Sequence, residues 1–114
     1  MYCIDGLDLA SALRSVGGNE DLLLQVLLLF AQKEPEKAEE IRNFVKNEDA
    51  EGYTIVVHAL KSSARSIGAT GLAEHAYIME RRGQVRDIEA ICKGTDELLT
   101  EYHEVATSIL AVLQ

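Results

Sequence analysis

The sequence predicts an all-α domain, an up-and-down antiparallel four-helix bundle with a short additional N-terminal helix. Three observations predict it. The apolar residues are mostly Leu, Ala, Ile and Val, with no Trp, two Phe and four Tyr, whereas strands draw on aromatic residues. A single Pro leaves little of the punctuation that turn-rich folds need. Apolar positions repeat at helical spacing, and no alternating strand pattern occurs. At 114 residues and 47% hydrophobic, the chain (1–114) fits one domain with one core.

The elements follow in order. Gly6 to Val16 reads as a short amphipathic helix with Leu7, Ala10, Leu13 and Val16 on one face, closed by Gly17-Gly18. Asn19 is a candidate N-cap, with Glu20 and Asp21 in the first turn, where the helix dipole favours acids. The helix it starts, to about Lys33, is apolar on nearly every side and is expected to be the most buried. Pro35 suits the first turn of a new helix, with Ala38, Ile41 and Val45 inward as far as Asn47. Asp49 caps a helix that Gly68 ends. Another runs from about Thr70 to Arg82, with Leu72, Ala76 and Met79 inward, and stops at Gly83. The last spans about Val85 to Leu113, with a bend expected at Gly94. Short turns between helices make neighbours antiparallel.

Charge and motif content exclude several functions. A net charge of −8 opposes general nucleic-acid binding and attachment to anionic membranes. The longest apolar run, Leu22 to Phe30, is interrupted by Gln25 and is too short to span a bilayer. No basic segment precedes an apolar stretch at the N-terminus, as a signal peptide would require. Cys3 and Cys92 show no CxxC spacing, and a reduced, cytoplasmic protein is expected. No Gly-rich phosphate loop and no carboxylate cluster for metal is present. No two histidines stand at i and i+4, so zinc is not expected.

The helix from Asp49 to Gly68 carries the chemistry. On a helical wheel Val56, Leu60, Ser63 and Ile67, with Ala59 beside them, form the expected buried stripe, and His58, Lys61, Ser62 and Arg65 fall opposite. Imidazole is the side chain that titrates near neutral pH, and its neutral form carries a nucleophilic nitrogen. A cation one turn away can balance the charge of a phosphoryl group placed there. From these residues alone, a surface histidine among surface cations is the plainer reading. Between His58 and Arg86, however, five cations face two acids, a net of +3 that leaves −11 for the rest of the chain. A basic patch on an acidic protein points to phosphate or to an acidic partner. His75 and His103 have no comparable company in the sequence.

The string His58-Ala59-Leu60-Lys61-Ser62-Ser63-Ala64-Arg65-Ser66-Ile67-Gly68-Ala69 resembles the signature of histidine phosphotransfer domains, His-x-Leu-Lys-Gly-Ser-x-x-x-x-Gly-Ala. Ala76 and Met79-Glu80 resemble its continuation, and Gly6-Leu7-Asp8, Gly17-Gly18-Asn19 and the Leu-rich helix after them also look like the family. The resemblance covers essentially the whole chain.

It implies a phosphoryl carrier, not an enzyme in its own right, that accepts a phosphoryl group on His58 and exchanges it with an aspartate of a response-regulator receiver domain. Lys61 would stabilise the phosphoryl group, and Glu80 would hold the second ring nitrogen of His58. Ser62, which replaces the family's Gly, would lie where the partner's surface comes close. Arg65 and Arg81 would ring the docking surface, and Gly68 would let two helices turn and pack closely. The chain itself would need no cofactor, since Mg²⁺ would sit on the receiver. A sensor histidine kinase, in the same polypeptide or another, would be the second partner, and the domain would be a monomer. The competing reading is a helical interaction domain that has lost phosphotransfer.

Overall fold

The computed structural model describes residues 3–114 and is all-helical over them. Its elements are α1 (Leu9–Ser15), α2 (Glu20–Lys46), α3 (Ala50–Ser66), α4 (Thr70–Gln84) and α5 (Ile88–Leu113). Four of these five helices, all but α4, start at short polar side chains that accept otherwise unpaired backbone N–H groups. Asp8, Asn19, Asp49 and Asp87 accept from Ser11, Leu22, Gly52 and Ala90 at 2.9–3.1 Å. Helices α2 to α5 form a closed ring, each packed on its two neighbours, and α1 lies across α2 and α3. The core joins Leu27, Ile41, Tyr53, Val57, Ile67, Leu72, Leu98 and Ile109, all nearly inaccessible. Inside it Tyr53 and Thr95 share a buried 2.9 Å hydrogen bond from α3 to α5.

Several boundaries differ from expectation. Pro35 does not separate two helices: α2 runs through it for 27 residues. Proline costs a helix interior about 3 kcal/mol, but Leu27, Phe30, Ala31, Ala38 and Ile41 are buried on both sides of it, and their packing outweighs that cost. The first half of α2 is not the most buried segment either, because Leu22 and Leu29 are exposed. Helix α1 buries Leu9 and Ala12 and leaves Ala10 exposed. Gly83 does not end α4 but lies buried within it, and a Cβ there would strike the Thr54 side chain of α3. Gly94 leaves α5 continuous, and that helix starts at Ile88, not Val85.

The stripe that α3 buries is Tyr53, Val57, Leu60, Lys61, Ala64 and Ile67, rotated from the expected one toward α4. Ala59 and Ser63 are exposed and Val56 is half-buried. The cause is that α3 packs more closely on α4 than on α2. An apolar groove of about 340 Å³ remains between α2 and α3, over Phe30, Leu60 and Tyr102.

Candidate histidine phosphotransfer site

The rotation of α3 builds the site. His58 sits on the outer side of the helix with its side chain 57% exposed. Its Nδ1–H points to α4 and donates to Glu80 Oε2 at 2.7 Å, across 22 residues of sequence. A carboxylate acceptor at Nδ1 selects the tautomer that leaves the Nε2 lone pair free.

Lys61, expected on the exposed face with His58, is buried. Its side chain is only 11% exposed, and Nζ lies 2.5 Å from Glu80 Oε1. The ammonium also lies over the Tyr77 ring, 5.5 Å from its centroid, within cation–π range. Glu80 thus has a different partner at each oxygen: a hydrogen bond from His58 at Oε2, and the Lys61 ammonium as an ion-pair partner at Oε1, which accepts no hydrogen bond of regular geometry. Burial alone would raise its pKa, but the hydrogen bonds and positive charge of Lys61 and His58 outweigh it and hold the carboxyl below its ordinary 4.5.

The remaining predicted residues are placed unequally. Ser62 and Arg65 are exposed one and two turns beyond His58 on α3, and Arg81 is exposed beside Glu80 on α4. Gly68 is not on that surface. It is buried about 15 Å along the helix from His58 by the 1.5 Å rise per residue. There it has φ +76°, accepts a 2.8 Å hydrogen bond from the Asp8 N–H, and leaves no room for a Cβ against the Asp8 carbonyl. Its place is to seat the start of α1 on the α3–α4 turn.

Sequence reasoning missed three features. Tyr77 carries no motif of its own, although it stands at i−3 from Glu80 on one helix, a spacing that makes side-chain neighbours. His75 and His103 also have carboxylate partners: His75 Nδ1 lies 2.9 Å from Glu101 Oε1 and His103 Nδ1 lies 3.0 Å from Glu34 Oε1. Those partners are 26 and 69 residues away, and no local pattern signals them. Among the described residues no group of three or more His, Cys, Asp or Glu is arranged to hold a metal ion. The α2–α3 groove is lined by Ala59 but not by His58, so that groove and the exposed imidazole are separate features.

The architecture agrees with the comparisons. A family model described as the Hpt domain matches residues 25–108. The chain belongs to the Hpt domain family. The HPT domain of the Hpt sensor hybrid histidine kinase from Shewanella has a similar fold, with a TM-score of 0.83 at 20% identity, over 95% of this chain and 93% of that one. No curated protein matches the chain. Hpt domains are phosphocarrier modules, and the role of this one is histidine phosphotransfer in a two-component phosphorelay. No helix among its described residues is long and apolar enough to cross a membrane.

Proposed function

We propose that His58 is the phosphoacceptor of this Hpt domain and that Nε2 is the accepting atom. The observation that carries this reading is the 2.7 Å bond from His58 Nδ1 to the buried Glu80 carboxylate, on an imidazole that is itself exposed. The Nε2 lone pair attacks phosphorus of a receiver's aspartyl phosphate through a loose, nearly in-line transition state. The N–P bond forms as the acyl-phosphate O–P bond breaks, and the aspartate leaves as carboxylate. Nδ1 keeps its proton, so the phosphorylated ring carries a positive charge that Glu80 balances. Transfer in the other direction reverses each step.

Lys61 contributes positive potential beside the incoming phosphoryl group. Small, uncharged Ala59 and Ser62 let the receiver's backbone approach, and Arg65 and Arg81 stand at the rim of the contact with an acidic partner. Gly68 acts indirectly, by fixing α1 against the end of the His58 helix. The chain binds no cofactor and catalyses no reaction alone; Mg²⁺ belongs to the receiver. A sensor histidine kinase supplies the phosphoryl group, and the domain, 1–114, works as a cytoplasmic monomer.

The test is transfer from a receiver domain charged with a small phosphodonor, read on a phosphate-affinity gel. An acid-labile, base-stable shift in the wild type that is absent in His58→Gln supports the assignment. No shift with several receivers, from folded protein, favours an interaction domain that has lost phosphotransfer.

A further inference from the structure

We propose that Tyr77 is a positioning residue for phosphotransfer: its ring keeps the Lys61 ammonium docked on Glu80, and the doubly held carboxylate in turn fixes the His58 ring. The inference rests on the assignment of His58 as phosphoacceptor.

A terminal carboxylate torsion is broad, so a Glu held through one oxygen can swing and carry its partner with it. Glu80 is held through both. Oε2 accepts the His58 Nδ1–H at 2.7 Å, and Oε1 is ion-paired with the Lys61 ammonium at 2.5 Å without a hydrogen bond of regular geometry. The weak member is Lys61, whose four-carbon stem is flexible and whose ammonium is strongly hydrated. Lysines with water in reach extend into it. This one does not: its side chain is 11% exposed, and the Tyr77 ring covers the ammonium from 5.5 Å. Tyr77 and Glu80 lie one turn apart on α4 and present ring and carboxylate to the same cation. Tyr77 is itself 38% exposed, so its ring stands between the ammonium and solvent.

The resting role of Lys61 is therefore to lock Glu80, and the ring of Tyr77 holds that lock closed. The chemistry needs the ring, not the hydroxyl.

The experiment is single-turnover transfer from a phosphorylated receiver to the wild type, Tyr77→Leu, Tyr77→Phe, Lys61→Met and the Tyr77→Leu/Lys61→Met double variant, with receiver concentration varied. His58→Gln serves as control, and its failure to accept phosphate confirms the assignment on which the inference rests; acceptance by it would overturn that assignment whatever Tyr77 does. The expected result is a several-fold lower maximal rate in Tyr77→Leu with the half-saturating receiver concentration unchanged, and a rate within about twofold of wild type in Tyr77→Phe. Tyr77→Leu should add nothing once Lys61 is Met, because the two act in series. Ring ¹⁵N shifts of His58 should move toward mixed tautomers in Tyr77→Leu and stay put in Tyr77→Phe. A wild-type maximal rate in Tyr77→Leu, failure of Phe to restore it, full additivity with Lys61→Met, or an effect confined to half-saturation would each overturn the proposal.

Discussion

Two histidines of this molecule share nearly the same local geometry. His58 on α3 is 57% exposed and lies 2.7 Å from Glu80, whose side chain is 8% exposed. His103 on α5 is 65% exposed and lies 3.0 Å from Glu34, whose side chain is also 8% exposed. In both, a buried carboxylate on a neighbouring helix holds Nδ1. The surroundings differ. Glu80 has Lys61 on its second oxygen, while the charge of Glu34 acts on the buried Tyr102, whose hydroxyl pKa is raised first by burial and then by that charge. The surface around His58 carries Arg65 and Arg81, and that around His103 carries Glu104 with Thr100 and Thr107 one turn away on either side. On the proposed assignment, the charge around His58 favours a phosphoryl dianion and that around His103 disfavours one. A carboxylate at Nδ1 thus recurs within this molecule, and on the proposed assignment the local charge is what sets His58 apart.

The sharpest way to break the comparison is to remove each ring. His58→Gln should abolish transfer, and His103→Gln should leave the rate within about twofold, read by phosphate-affinity gel. The carboxylates come next. Loss of an orienting partner typically costs 10- to 100-fold, so Glu80→Ala should slow transfer by about that much, while Glu34→Ala should leave it unchanged in stopped-flow measurements. Glu80→Ala also strands a buried ammonium and should lower stability by about 3 kcal/mol in urea titration.

A smaller effect separates docking from chemistry. Arg65→Glu should raise the half-saturating receiver concentration several-fold at low salt, with the difference shrinking as salt screens it. Charge reversal at Glu104, beside His103, should do nothing. The smallest effect is on acid stability. Folding lowers the Glu80 pKa, so its ionisation adds stability that is complete above its unfolded value near 4.5 and is lost as pH falls through the lower folded value. Glu80→Gln should therefore lose less of its melting temperature than the wild type on going from about pH 6 to about pH 3.

The contrast also marks how far the sequence could be read. The helix starts at Asn19 and Asp49 were legible because capping is a local event, and the family was legible because its signature string is contiguous. The continuity of α2 through Pro35 was not, since tertiary packing on both sides overrides a local penalty. Lys61 was assigned to the wrong face because the wheel gives angles around α3 but not the direction of its tightest neighbour, α4. The Glu34–His103 pair spans 69 residues and depends on the register of α2 against α5, which no stretch of sequence states.

The central claim is that one histidine and one of its nitrogens accept phosphate. The direct test is long-range ¹H–¹⁵N correlation of protein labelled with ¹⁵N-histidine, recorded before and after phosphoryl transfer from a receiver. The account predicts that the His58 Nε2 resonance alone takes the large change expected on N–P bond formation, with His75 and His103 unmoved. A phosphorylated resonance at His103 or His75, or at Nδ1 of His58, would contradict it.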